Sequence, residues 1–197
     1  MIVVGICGEI STGKGIAAKI LESDYNFTPM GFTDPLKCIC RDYLKIPSTS
    51  LWGPSEGRTP HVRRALQGLG KWGRKHDAEA WVNILCDRID EWHEMHRDSS
   101  NILTSLAPYS KDRIVVTDLR LPIEAETLVE RYNAKLIKLT RDVAPLPEDI
   151  ASDETEEAVK TIPEDLFLRV IDNSGPIEDL EKIIHRLAKG LIHATNS

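Results

Sequence analysis

The sequence lacks most features that would tie it to a membrane, a zinc site or an oxidising compartment. No apolar run approaches the ~20 residues of a membrane span. The opening residues, Met-Ile-Val-Val-Gly-Ile-Cys-Gly, have neither the basic start nor the long apolar stretch of a signal peptide, and read as a buried strand. The four cysteines, Cys7, Cys38, Cys40 and Cys86, stand in apolar periodic segments without metal-ligand spacing, and Cys38 and Cys40 are too close for a C-x-x-C pair. Reduced, buried thiols in a cytoplasmic protein are expected. His93 and His96 lie one helical turn apart with no third ligand, so zinc is not expected. H-E-x-x-H does not occur. No repeat or low-complexity segment is visible. A net charge of −6 argues against a general nucleic-acid binder.

What is present is an ordinary globular composition over 197 residues, 41% hydrophobic and 28% charged, enough for a buried core. Short β-rich segments at Ile2–Cys7, Arg113–Thr117, Lys135–Leu139 and Leu168–Ile171, with a weaker one at Phe27–Phe32, alternate with helical patterns. The helices are expected at Lys14–Ser23, Pro35–Leu44, His61–Gly73, Ala78–His96, Pro122–Tyr132 and Ile177–Leu191. Strands alternating with helices call for an α/β fold with parallel pairing through right-handed crossovers. Ser48–Pro60 and Arg141–Asp153 read as loops, the second as a mobile surface segment.

The first strand leads directly into Gly8-Glu9-Ile10-Ser11-Thr12-Gly13-Lys14-Gly15, which fits G-x-x-x-x-G-K, and a helical pattern follows. This is the context of a phosphate-binding P-loop. Its glycines let backbone N–H groups close on phosphate oxygens, the helix N-terminus adds partial positive charge, and Lys14 can bridge β- and γ-phosphates. Gly8, Ser11, Thr12, Gly13, Lys14, Gly15 and Ile16 are therefore the candidate ATP-binding residues. The position after the lysine normally carries a Ser or Thr hydroxyl for Mg²⁺. Here Gly15 and then Ile16 stand, so the metal is expected on ATP oxygens, waters and one carboxylate. Asp118, after Ile114-Val115-Val116-Thr117, is the candidate, with a turn or helix-cap role as the alternative.

Between Arg58 and His76 there is no acidic residue, whereas Arg58, Arg63, Arg64, Lys71, Arg74 and Lys75 all fall there. On a helix, Arg63, Gln67 and Arg74 lie near one face, with Leu66, Leu69 and Gly73 on the adjacent one. Such a row suits a phosphorylated acceptor, since Arg binds phosphate bidentately and Gln pairs with a base or sugar edge. A solvated basic face would share this spacing. Arg120 and Arg141 each follow a strand's carboxyl end, where open α/β sheets bind ligands. Both could neutralise a transferring phosphoryl group, or serve as surface ion pairs.

Taken in order, these segments resemble the deoxynucleoside monophosphate kinases of tailed bacteriophages. The resemblance rests on Gly8–Lys14, on Gly31-Phe32-Thr33-Asp34-Pro35-Leu36-Lys37, and on Arg63-Arg64-Ala65-Leu66-Gln67-Gly68-Leu69-Gly70 followed by Arg74. It continues through Trp81-Val82, Asp118-Leu119-Arg120-Leu121-Pro122-Ile123-Glu124-Ala125 and Ile171-Asp172-Asn173-Ser174-Gly175. It implies a three-layer P-loop kinase fold: a central parallel sheet of about five strands, helices on both faces and a helical acceptor-binding insertion. The core would take 1–33 and 112–197, the insertion about 34–111, and a lid about 141–160. It also implies ATP and Mg²⁺, an acceptor near Asp34, Lys37, Arg63, Gln67, Arg74 and Trp81, and Asn173 near the adenine. The family usually has Asp then Thr or Ser after the lysine, and this chain departs from it there. The expected reaction is phosphorylation of a deoxynucleoside monophosphate to the diphosphate, through Lys14, Asp118, Arg120 and Arg141. The expected partners are small nucleotides, with neither nucleic acid nor membrane, in the host cytoplasm if the protein is phage-encoded. Small phosphotransferases often dimerise, so a homodimer is compatible. A kinase of another phosphorylated acceptor such as dephospho-coenzyme A, a non-catalytic nucleotide binder and a nucleic-acid module are the alternatives.

Overall fold

Five strands, all parallel, form one sheet in the computed structural model, which describes residues 1–53, 57–97, 112–142 and 154–195. In chain order the elements are β1 (Ile2–Cys7), α1 (Lys14–Tyr25), β2 (Thr28–Met30), α2 (Asp34–Asp42), α3 (Ser48–Trp52), α4 (Pro60–His76) and α5 (Ala80–Arg97). Then come β3 (Arg113–Leu119), α6 (Pro122–Tyr132), β4 (Lys135–Thr140), α7 (Glu154–Thr161), a short 3-10 turn (Glu164–Leu166), β5 (Phe167–Asp172) and α8 (Ile177–Thr195). The sheet order is β2-β3-β1-β4-β5. Among the described residues no helix is long and apolar enough to cross a membrane.

The chain divides into two compact units, Met1–Met30 with Ile89–Ser197, and Gly31–Arg88. In the larger unit β1 is central, which explains its near-continuous apolar sequence: a strand covered on both faces has no side to leave polar. Val4 and Ile6 pack with Val115, Ile137, Leu139 and Ile171 against Ala17 and Leu21 of α1 and Leu180 and Ile184 of α8. Each fully buried aliphatic side chain contributes ~1.5–3 kcal/mol relative to exposure. Gly5 faces the other way, toward Leu119 of β3, Leu128 of α6 and Leu136 of β4. Helices therefore cover both faces, giving the three layers expected. The strand order and the loop after β1 define a P-loop kinase fold.

Register brings the ends of three strands together. Cys7 stands opposite Leu119 on one side and Lys138 on the other. The loop after β1 thus emerges between the β3 end, which carries Asp118 and Arg120, and the β4 end, which carries Thr140 and Arg141. A strand whose two neighbours are reached by crossovers in opposite directions creates a crevice at this edge.

The smaller unit has its own core: Leu36, Cys40, Ile46, Leu51, Val62, Leu66 and Trp81. α4 starts where the Thr59 hydroxyl accepts the Val62 N–H and Pro60 presets the first turn. It ends with Arg74, Lys75 and His76, the sign that its dipole favours. Trp81 Nε1 donates to the Gly70 carbonyl at 3.0 Å, and its ring lies flush on Gly73.

Several boundaries correct the sequence reading. Ser48–Pro60, read as a loop, contains α3, because fully buried Leu51 anchors a helical turn there. The segment read as a lid at about 141–160 ends in helix α7, while 143–153 lie outside the described residues. Phe27 and Phe32 are buried but flank β2 rather than belong to it.

The contact at Gly73 makes a sharp prediction. Ala is the better helix former by ~1 kcal/mol, yet a Cβ at Gly73 would run into the Trp81 ring. Gly73→Ala should lose ~1–3 kcal/mol by overpacking. Gly68→Ala, on the same helix with nothing within 4 Å of its Cβ, should gain up to ~1 kcal/mol. Urea unfolding of the two variants checks the opposite signs.

Candidate active site

The loop after β1 is built from unusual backbone angles. Gly8 has φ 148°, Ser11 65° and Gly13 100°, all positive. A Cβ on Gly13 would collide with the Asn173 amide, and one on Gly8 with the Leu139 carbonyl, so glycine is required at both for space as well as conformation. Such turns point successive N–H groups inward as an anion nest. α1 then begins on Gly13 with no capping side chain and no acid in its first turn. No acid of α1 itself opposes an anion at its N-terminus. Lys14 folds back over the loop, its Nζ donating to the carbonyls of Gly8 and Glu9, each at 2.6 Å. Thr12 is buried, and its hydroxyl donates to the Glu9 carbonyl at 2.8 Å. Ser11 is exposed, Gly15 is exposed and Ile16 packs against the core.

Asn173 does something the sequence did not suggest. Its buried side-chain amide donates to the Thr12 carbonyl at 3.0 Å, while its backbone N–H donates to Thr140 at 2.7 Å. It braces the loop from the end of β5. Beside the loop lies a cavity of about 130 Å³, lined by Gly8, Glu9, Thr12, Lys138, Thr140, Arg141, Val159 and Lys160. That space is enough for a phosphate group. Lys160 of α7 faces Glu9 at 3.7 Å and pairs with Glu157 at 3.0 Å. Lys138 and Lys160 were missed in the sequence because neither belongs to a motif and only folding brings them to the loop.

On the other side, Asp118 and Arg120 are half-buried at the β3 end. Glu124, also missed as a site residue, organises this edge. Its Oε2 accepts the N–H groups of Arg120 (2.8 Å) and Leu121 (3.0 Å), and it caps α6. Burial pushes its carboxyl up to about 8; the two N–H bonds pull it down, and the Asp118 charge adds to the rise. The Cys7 thiol, buried at the β1 end, is likewise pushed up to about 11, which keeps it unreactive.

In the Gly31–Arg88 unit, Asp34 heads α2. Its carboxylate accepts the Gly31 N–H at 2.8 Å, Lys37 at 3.0 Å and Arg88 at 3.3 Å. Arg63 and Arg74 are half-buried and Gln67 exposed along one side of α4; the Arg74 guanidinium crosses the Gly70 backbone. Trp81 is buried beneath this helix with its N–H satisfied by the Gly70 carbonyl.

No protein-family model matches the chain. It is similar to a protein of Acanthamoeba polyphaga mimivirus that carries the provisional name deoxynucleotide monophosphate kinase, 27% identical over 166 residues and covering 79% of each chain. Among solved structures, TT1252 from Thermus thermophilus is 19% identical with a TM-score of 0.48, covering 96% of this chain and 97% of its own. The shikimate kinase of Bacteroides thetaiotaomicron is 11% identical with a TM-score of 0.45, covering 96% and 98%.

Glu124 carries a pH prediction. Its folded-state pKa, about 8, exceeds the ordinary 4.5. The folded protein thus holds a proton that the unfolded chain releases. This contribution is fully present below pH 4.5 and is lost as pH rises through 8. Glu124→Gln, which mimics the protonated form, should flatten that decline and raise Tm above wild type at pH 8–9. Thermal unfolding of both proteins from pH 5 to 9 tests it; parallel curves would mean that Glu124 is ionised in the fold.

Proposed function

We propose that this protein transfers the γ-phosphoryl group of ATP to a deoxynucleoside monophosphate. The observation that carries the reading is the loop Gly8–Gly15: three positive φ angles, an uncapped helix start and Lys14 folded onto the loop's carbonyls. The similarity to the mimivirus protein supports a nucleotide as acceptor.

The acceptor phosphate is already an anionic nucleophile, so no general base is needed; the work is positioning and charge neutralisation. Lys14 would exchange its two carbonyl partners for β- and γ-phosphate oxygens. Arg141 lines the phosphate-sized cavity on one side of the loop, and Arg120 stands on the other with its backbone fixed by Glu124. Asp34, Lys37, Arg63, Gln67 and Arg74, all within Gly31–Arg88, would hold the acceptor.

Mg²⁺ takes one or two carboxylates with phosphates and waters for the rest. Asp118, half-buried at the strand end beside the loop, fits that single place, whereas Gly15 offers no oxygen side chain. The ion would neutralise charge on the β- and γ-oxygens.

A coupled ADP-release assay over deoxynucleoside monophosphates, ribonucleoside monophosphates and dephospho-coenzyme A tests the function. ADP release should depend on a deoxynucleoside monophosphate, and Lys14→Ala should lower kcat by ~100-fold or more. If no deoxynucleoside monophosphate stimulates ADP release, the reading fails; a response to dephospho-coenzyme A alone would reassign the acceptor.

The missing hydroxyl gives a second prediction. A Cβ at Gly15 meets nothing within 4 Å, and Gly15 is not among the positive-φ glycines, so a side chain fits. Gly15→Ser should lower the free Mg²⁺ needed for half-maximal rate, and Asp118→Asn should raise it. Rate against free Mg²⁺ at saturating substrates compares the three proteins; identical curves would remove both positions from the metal.

A further inference from the structure

We infer that Trp52 is the stacking platform for the base of the acceptor nucleotide, an assignment that rests on the proposed kinase reading and sharpens its acceptor side. Trp52 ends α3, and its side chain is 45% exposed. A half-exposed indole offers an aromatic surface that a ligand can cover. The ring is nonetheless held in place. Its neighbour Leu51 is fully buried, and the Leu51 carbonyl accepts Arg58 at 2.9 Å. Lys37 Nζ lies 5.9 Å from the ring centroid and Arg41 Cζ 5.6 Å. Lys37 is fixed in turn by Asp34, which is itself tied to the Gly31 backbone and Arg88.

This places one aromatic ring beside two cations, each held by a carboxylate that a phosphate would displace, Lys37 by Asp34 and Arg41 by Asp42. A nucleoside monophosphate has the complementary pair, a flat heteroaromatic base and a phosphate dianion a short sugar apart. Stacking on an indole is tolerant of which base is presented, while cations beside the ring receive the phosphate. Two of the other tryptophans offer less. Trp81 is buried and hydrogen-bonded, and Trp72, though exposed, meets the edge of His76 on α4 and has no such pair of cations over its ring.

The test uses the full chain and two acceptors, a deoxynucleoside monophosphate and deoxyribose 5-phosphate, which lacks the base. Wild type should prefer the nucleotide by ~10-fold or more in kcat/KM, the scale of one base stacked on an aromatic ring. Trp52→Leu, which keeps apolar bulk, should raise KM for the nucleotide and reduce that preference to ~3-fold or less, leaving KM for ATP within ~2-fold. Trp52→Phe should recover most of the preference, and the fluorescence quench expected when the nucleotide is added to wild type should be lost in it. If Trp52→Leu keeps the wild-type preference, the platform is wrong while the kinase reading stands. If both KM values rise equally and Trp52→Phe restores neither, Trp52 is structural and the platform is again wrong. If wild type uses no deoxynucleoside monophosphate, the kinase reading falls and the platform with it.

Discussion

A lysine ammonium lying over a backbone turn must find acceptors for its protons, and in this fold the turn itself supplies them. Lys14 donates to two carbonyls of its own loop, and these hydrogen bonds tie the lysine to the turn. That set forms only if Gly8, Ser11 and Gly13 hold positive φ, which for Ser11 is a sparsely populated conformation costing ~1–3 kcal/mol. The surrounding structure has to over-determine it. Asn173 supplies part of that constraint: its amide reaches from the end of β5 to the Thr12 carbonyl and occupies the space a Cβ on Gly13 would need. Exchanging carbonyl partners for phosphate oxygens would then require little movement of the loop, because its shape is fixed from beneath.

The rest of the larger unit can be read as support for that edge. With β1 central, the loop has a strand end on each side, and each end brings a different chemistry. β4 delivers Lys138, Thr140 and Arg141 to the phosphate-sized cavity, to which α7 adds Lys160. β3 delivers Asp118 and Arg120, and there the buried Glu124 carboxyl holds the N–H groups of Arg120 and Leu121. Burial is the main cause that raises this carboxyl, and the Asp118 charge adds to the rise.

The fold was legible because its signals are local. Alternating apolar strands and amphipathic helices announce a parallel sheet, and α6 runs over Pro122–Tyr132 as the pattern indicates, opening on proline and closing on Asn133 in the left-handed region. The loop was legible because its glycines and lysine sit at fixed spacing. The roles of Asn173 and Trp81 were not. Asn173 meets its partner 161 residues away, and no window of sequence contains that distance. Trp81 carries the same helical periodicity whether it faces a core or a ligand, and only the Gly70 carbonyl and the bare backbone of Gly73 decide between the two. α3 escaped notice because five residues are too few for a period to show.

On the proposed reading the two units would bind phosphate by different means, and that bears on where selectivity would reside. In the larger unit the candidate contacts are mostly backbone N–H groups and a helix end, which see charge and shape but not the identity of a nucleotide. In the Gly31–Arg88 unit they are side chains: a row of arginines with a glutamine between them, and an exposed indole beside two cations. Side chains can be exchanged one at a time without disturbing a strained loop, so discrimination among acceptors is cheapest to build there. The distribution of charge fits that division. A chain of net charge −6 keeps a run from Arg58 to His76 free of acids. Trp81, buried beneath α4 with its ring on Gly73, holds that run as a rigid face rather than a loose basic surface.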